Sequence, residues 1–177
     1  LGDTVLANRT LDRVFVRLGP TAAGRSLALG HAEALRADLL EAANRHDEAL
    51  SHYQAAIDIG LSIEGTESQL AVETRLALAG ALASRERVEE AKVQHALAVA
   101  ALRKLGGAGQ VRAAFSESNF WAGRYQMLQA PFAEVREVLE RNRALLASTT
   151  VPVPPVIIAR ADRNLGQSFL LWGDIAA

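Results

Sequence analysis

The chain has 177 residues, which is enough for one compact domain or about four helical repeats. Half of its residues are apolar, the formal net charge is −1 and cysteine is absent. This composition excludes a disordered tail, disulfides and thiolate metal sites, and the lack of a basic surplus argues against nucleic-acid binding.

Apolar residues recur at helical spacing along the chain. Leu11, Phe15 and Leu18 lie on one face of a first helix, which is predicted to end near Gly19-Pro20. Further helices are predicted over about residues 26–44, 47–64, 67–85, 88–104, 110–128, 131–146 and 155–172, and a ninth opens at Gly173-Asp174. Prolines interrupt VPVPPVII, the one strand-like stretch, so no strand is predicted. The predicted fold class is therefore all-α.

No stretch of the chain has the length and character of a membrane segment. The longest run without charge, residues 147–159, is short and contains three prolines. The first ten residues lack the basic region and apolar core of a signal peptide. We therefore expect a cytoplasmic protein with no membrane partner.

Two spacing motifs recur at intervals of 42 to 44 residues. The first motif has a small residue at i, an aromatic at i+4 and a small residue at i+7. It occurs as Ala49, Tyr53 and Ala56, again as Ala91, His95 and Ala98, and weakly as Val135 and Leu139. The second lies in the intervening helices, as Leu78-Ala79 with Leu82, Ala122-Gly123 with Gln126, and Leu165-Gly166 with Phe169. Small residues at these positions would let the two helices of a pair approach closely. A fixed period of this length indicates stacked helix pairs.

These motifs resemble those of the tetratricopeptide repeat family. Residues 165–169 match the family's helix-A motif, and residues 49–56 match its helix-B motif. The period exceeds the family's usual length of about 34 residues, and the motif's Trp is missing in every unit. The chain thus resembles the longer-period variety found in bacterial signalling proteins and in ATP-driven transcriptional activators. The resemblance implies a right-handed α-solenoid of stacked antiparallel helix pairs.

The alignment predicts one helical-repeat domain over residues 1–177. Its expected parts are an orphan helix of a preceding repeat (1–20), three repeats (26–64, 66–106 and 109–148) and a truncated fourth repeat (155–177). WGDIAA is interpreted as the turn and first residues of an interrupted helix. We therefore expect a piece of a larger regulatory protein, whose exposed repeat ends would offer a route to dimers.

No pattern of catalytic or ligating residues stands out. The four histidines, His31, His46, His52 and His95, lie in no HExxH or comparable arrangement. LGGAGQ resembles a phosphate loop but lacks the GK[ST] ending, and no serine lies in a nucleophile elbow. We expect no enzyme, no cofactor and no metal, and an enzyme is retained only as a remote alternative.

Candidate partner-binding residues come from the resemblance. The family's concave face is lined by fixed positions of each helix A, which here are His31, Ala34, Asp38, Glu41, Glu73, Leu76, Gly80, Glu117, Phe120, Arg124, Met127, Arg160, Arg163 and Gln167. In the second half, arginines beside apolar residues could hold a carboxylate by forked hydrogen bonds while the apolar groups grip a side chain. The predicted partner-binding set is Phe120, Arg124, Met127, Arg160, Arg163 and Gln167. The alternative is that these arginines are solvated or pair with Glu73 and Glu117.

The expected function is non-catalytic. The chain would be an interaction or sensor domain of a larger bacterial signalling or transcription-regulating protein, and its concave face would bind a peptide or protein for an attached effector. The alternative is a structural module that self-assembles through its ends.

Overall fold

A computed structural model describes the backbone of residues 2–18, 26–127 and 129–176, and the side chains of residues 6–18, 26–127 and 129–173. In these residues the chain forms eight α-helices: α1 (Gly2–Leu18), α2 (Leu27–Ala42), α3 (His46–Glu64), α4 (Gln69–Ala83), α5 (Val88–Lys104), α6 (Gly107–Gln126), α7 (Phe132–Ser148) and α8 (Pro155–Ala176). A short 3-10 turn, Gly65–Glu67, follows α3. The described ranges contain no strand, which confirms the all-α prediction.

Local signals explain where three helices begin, and two of these signals are side-chain caps. The Ser26 hydroxyl accepts a hydrogen bond from the Leu29 backbone N–H at 3.2 Å, and it caps α2. Ser68 caps α4 in the same way through the backbone N–H of Ala71 at 3.2 Å. Pro131 lies immediately before α7, where its missing N–H leaves no hydrogen bond unmade. The predicted end of α1 at Gly19-Pro20 lies outside the described residues.

The predicted start of α6 is wrong by one turn. The helix begins at Gly107 rather than near residue 110. The connection between α5 and α6 therefore contains Gly106 but not Gly109. Gly109 lies in the first turn of α6, where an added Cβ would clash with the carbonyl oxygen of Leu102 and lie 2.8 Å from the Leu105 Cβ. This glycine therefore permits a close approach to the end of α5 and does not break the helix.

The predicted ninth helix is also absent from the described structure. α8 continues through Gly173-Asp174 to Ala176, so WGDIA belongs to α8 and forms no turn. A single glycine costs a helix only about 1 kcal/mol, and residues 174–176 of α8 contain no proline or second glycine. The Gly-Asp pair was too weak a stop signal for the break that we predicted.

The described helices group into two compact units, Leu1–Ala101 and Leu102–Ala177. In the first unit α1 packs on α2, and α3 packs against both α2 and α4. In the second unit α6, α7 and α8 each pack against the other two. The predicted single domain and its repeat boundaries remain predictions.

The first spacing motif marks positions that are buried in the structure. The exposed fractions of its eight side chains lie between 0% and 5%. In α7 the i+7 position is Asn142, whose amide donates to the Glu117 carboxylate at 3.0 Å. The recurrence of buried positions agrees with a helical-repeat-like, all-α fold.

Glycines of the second motif do not lie at tight helix crossings. A Cβ added at Gly123 or Gly166 would meet no other atom within 4 Å. A tight approach of backbone to backbone in the first unit occurs instead at Gly60, where a Cβ would lie 2.7 Å from the Ser68 Oγ and 3.0 Å from the Ala71 backbone N. Close packing of α3 and α4 therefore depends on a glycine that the motif alignment did not single out.

Candidate partner-binding surface

One face of α8 is anchored in the second unit. Ala161 packs in a cluster of buried apolar residues from α6 and α7. The Asn164 amide donates to the Asn119 Oδ1 at 3.0 Å, and the Ser168 hydroxyl donates to the Asn164 carbonyl oxygen at 2.9 Å. These contacts determine which residues of α8 face outward.

The outward face carries a regular stripe of exposed side chains. We call these residues the α8 outer stripe: Val156, Arg160, Arg163, Gln167 and Leu170. They follow the helical spacing i, i+4, i+7, i+11 and i+14, and Val156 and Leu170 are 70% and 72% exposed. At 1.5 Å per residue the two apolar ends lie about 21 Å apart. Two arginines and an amide therefore lie between two exposed apolar residues.

The arginines of this stripe are available for a partner. The guanidinium of Arg160 lies 5.9 Å from the centroid of the Phe115 ring. Within the part of the chain that the structure describes, neither Arg160 nor Arg163 forms an ion pair with a carboxylate. Their positive charges are therefore not neutralised by the second unit.

The pairing with Glu117, which the sequence left open for these arginines, is made by other residues. The Glu117 Oε2 accepts hydrogen bonds from the Nη2 of Arg103 at 2.8 Å and the Nη2 of Arg141 at 2.9 Å. Asn142 supplies a third donor to the same oxygen. Glu117 is largely buried, so it acts as a structural link between the end of α5, α6 and α7.

The α6 members of the predicted set lie in different environments. Arg124 is only 8% exposed, and its guanidinium lies 5.4 Å from the Phe120 ring centroid. Its Nη1 donates to the Gln129 Oε1 at 2.9 Å, and burial lowers the pKa of Arg124. Arg124 therefore stabilises the turn after α6 and is not displayed to solvent. Met127, which follows α6, is 56% exposed.

α6 and α8 meet along a seam of polar contacts. The Gln126 Nε2 lies 3.5 Å from the Gln167 Oε1, at the same end of the seam as Met127. The structure thus brings Arg160, Arg163 and Gln167 onto one stripe. Phe120 is half-buried beneath Arg124.

Sequence reasoning missed the apolar ends of the stripe. Val156 and Leu170 lie four residues before Arg160 and three residues after Gln167, so continuing the helical period along α8 would have included them. The repeat alignment did not, because it carried over only the family's motif positions.

The acidic positions predicted for the first unit are engaged internally. Asp38 accepts a hydrogen bond from the Tyr53 hydroxyl at 2.6 Å. Glu41 contacts Arg85 and lies 3.5 Å from the His46 Nδ1. Burial and then the Asp38 hydrogen bond raise the pKa of Tyr53. These carboxylates therefore connect helices within the first unit.

Histidines and carboxylates do not converge on a metal site in the described residues. His52 pairs with Glu33 at 2.5 Å, and His95 is buried. No group of three or more His, Cys, Asp or Glu side chains within the described ranges could hold a metal ion. None of the helices that the structure describes combines the length and apolarity needed to cross a bilayer.

The described helices and their recurring buried positions define an all-α, helical-repeat-like class of protein. No protein-family model matches the chain. No curated protein matches it. Among solved structures, the chain is similar to the crystal structure of BtubC (BKLC) from P. vanneervenii, with a TM-score of 0.78 and 20% sequence identity. The match covers 98% of this chain and 68% of that chain, and at this identity the likeness concerns the fold alone.

Proposed function

We propose that the chain is a non-catalytic protein–protein interaction domain and that its partner docks on the α8 outer stripe. The observation that carries this proposal is the pair of exposed arginines, Arg160 and Arg163, between exposed apolar ends. Large apolar side chains left on a surface next to unneutralised charges are typical of interaction sites. We place the domain in a larger bacterial signalling or transcription-regulating protein, where docking would bias an attached effector.

We also propose that the helix pairs form a right-handed α-solenoid of the tetratricopeptide type. The buried positions that recur after 42 and 44 residues support this arrangement, because a repeat unit buries its apolar face against its neighbours.

The chemistry of the stripe defines the class of partner. An amphipathic peptide helix with Asp or Glu in its centre could place carboxylates on Arg160 and Arg163. Apolar residues near both ends of that helix would cover Val156 and Leu170. Such a partner would leave neither arginine charge unpaired when the contact excludes water.

A titration with designed peptides tests this proposal. The probe is a synthetic helix with leucines at both ends and glutamates in the centre, and a matched peptide carries lysines in place of the glutamates. We expect the chain to bind the acidic peptide and not the lysine peptide. The double variant Arg160→Glu/Arg163→Glu should bind the acidic peptide about tenfold or more weakly than the parent chain does. The variant Arg160→Lys/Arg163→Lys should bind more weakly than the parent chain but more tightly than the charge-reversed variant, because it keeps both positive charges and loses the forked hydrogen bonds. Equal binding of both peptides, or unchanged affinity in the charge-reversed variant, would refute the proposal.

A further inference from the structure

A second surface of α8 carries an aromatic cluster. The Phe132 and Trp172 rings are stacked, with centroids 5.0 Å apart and an interplanar angle of 12°. The Phe169 ring meets Phe132 edge-on at 5.4 Å. Trp172 and Phe169 remain 46% and 37% exposed, so the cluster leaves aromatic surface in contact with solvent.

This cluster forms one side of a groove with a volume of about 520 Å³. We call it the α7–α8 groove; its lining residues are Phe132, Ala133, Arg136, Glu137, Glu140 and Trp172. Phe132 also packs on the buried residues of the second unit, and its ring lies 5.5 Å from that of Tyr125. The aromatic side of the groove is therefore held in place by the core beneath it.

The other side of the groove has excess negative charge. Arg136 donates from its Nε to the Glu140 Oε1 at 2.8 Å, and its guanidinium lies 5.4 Å from the Phe169 centroid. Its charge is thus already paired. Glu137 and the nearby Glu134 are exposed and form no ion pair with any residue that the structure describes. An occupant of this groove should combine apolar side chains with positive charges.

The first helix of the chain has these properties. We call the following residues the α1 stripe: Leu6, Arg9, Arg13, Val16 and Arg17. At 100° per residue they share about one third of the helix circumference. Leu6 and Val16 are 64% and 74% exposed. No ion pair within the described ranges neutralises the three arginines.

The opposite face of α1 is the one that packs in the first unit. Arg36 of α2 donates to the Asn8 Oδ1 at 3.0 Å and pairs with Asp12, and Leu11 is buried. Leu11 is the one buried residue among residues 6–18 of α1, and seven of these residues are exposed. The α1 stripe therefore lies outward on a helix that is anchored by its other face.

We propose that the α7–α8 groove binds the α1 stripe of a second copy of the chain. The apolar ends of the stripe would cover the aromatic side of the groove, and its arginines would pair with Glu134 and Glu137. The α8 outer stripe is also basic and apolar, but it offers two unpaired arginines against three on α1. The contact joins different surfaces of two copies, so it is heterologous and can continue from copy to copy.

Charge reversal on each surface gives a test that also controls for folding. One variant carries Arg9→Glu and Arg13→Glu, which makes the α1 stripe acidic. The other carries Glu134→Lys and Glu137→Lys, which makes the groove basic. All four positions are exposed, so both variants should keep the helical circular dichroism of the parent chain.

Sedimentation equilibrium reads out the association. We expect the average mass of the parent chain to rise with concentration above the monomer mass of 18.9 kDa. Each variant alone should stay monomeric, because its two surfaces carry like charges. An equimolar mixture of the two variants should associate again, because each surface then meets one of opposite charge. Arg160→Glu/Arg163→Glu should associate as the parent chain does, which separates this test from that of partner docking.

Three results would overturn the proposal. The first is a parent chain that remains at the monomer mass at every concentration. The second is association that survives in the α1 variant alone or in the groove variant alone, or a mixture of these two variants that fails to associate. The third is loss of association in Arg160→Glu/Arg163→Glu but not in Arg9→Glu/Arg13→Glu, which would assign the groove's occupant to the α8 outer stripe.

Discussion

At the scale of single residues, small side chains at buried positions determine how closely the helices pack. Ala91 of α5 has no exposed surface, and Ala98 two turns later has none either. Protein interiors are packed as densely as organic crystals, so such positions have no room for a larger side chain.

Ala91→Leu should therefore lower stability. Three extra carbons at a fully buried position overpack it, at a cost of about 1–3 kcal/mol. For a chain of this size each kcal/mol lowers the melting temperature by roughly 2–4 °C. The matched control is Ala96→Leu, the same change at an exposed position of the same helix. Equal melting temperatures for the two variants would contradict the alignment of Ala91 with the buried repeat positions.

Tyr53 makes the stability of the first unit depend on pH in the alkaline range. Folding raises the pKa of Tyr53 through burial and the hydrogen bond to Asp38. A phenol with a raised pKa in the folded state contributes stability that is present below its unfolded pKa of about 10 and is lost as pH rises above it. Between about pH 8 and pH 11, urea denaturation should therefore show a larger loss of stability for the parent chain than for Tyr53→Phe. Parallel losses in the two proteins would count against this role of Tyr53.

At the scale of elements, helix lengths decide which surfaces the second unit displays. α8 continues through Gly173, and this keeps Trp172 within a regular helix beside Phe132. A helix ending at Trp172, as the sequence predicted, would leave that ring on a frayed last residue. The α7–α8 groove thus depends on the continuation of α8.

Gly173→Ala tests this continuity. A Cβ at Gly173 meets no atom within 4 Å, so alanine should stabilise the helix by up to about 1 kcal/mol and raise the melting temperature slightly. The same change at Gly65, which ends α3 with φ at 76°, should lower it, because alanine is strained there. A fall in melting temperature for Gly173→Ala would indicate that the chain turns at this residue, as in the original prediction.

Element positions were largely predictable from the sequence, since apolar periodicity and the caps Ser26 and Ser68 are local signals. The two errors concern glycines. Gly109 and Gly173 were expected to lie in breaks, but both lie within helices. Whether a glycine interrupts a helix depends on what packs nearby, which is the Leu102 carbonyl for Gly109 and no other atom for Gly173. A sequence pattern does not contain that information.

At the scale of the whole molecule, the repeat resemblance identified part of the candidate surface. It selected Arg160, Arg163 and Gln167, which the structure places on one exposed stripe. It also selected Arg124, which is buried in the structure and donates to Gln129 in the turn after α6. The acidic α7–α8 groove could not be predicted, because it combines residues of two helices whose packing the sequence does not specify.

Two surfaces of opposite character would give the chain the two kinds of contact that we propose. The α8 outer stripe suits an acidic partner, and the α7–α8 groove suits the basic α1 stripe of another copy. Together they would let a self-associating chain present its partner site many times, which increases the effective affinity for a multivalent partner. The two surfaces share α8, but different residues form them.

Docking on α8 is tested most sharply by an amide chemical-shift titration of the isotope-labelled chain with the acidic peptide. We expect the changed shifts to cluster between Val156 and Leu170 and at the facing end of α6 near Met127. Arg160→Glu/Arg163→Glu should abolish these changes while the spectrum elsewhere stays that of the folded chain. Changes confined to other helices, or the absence of any change at saturating peptide, would contradict the assignment of partner binding to α8.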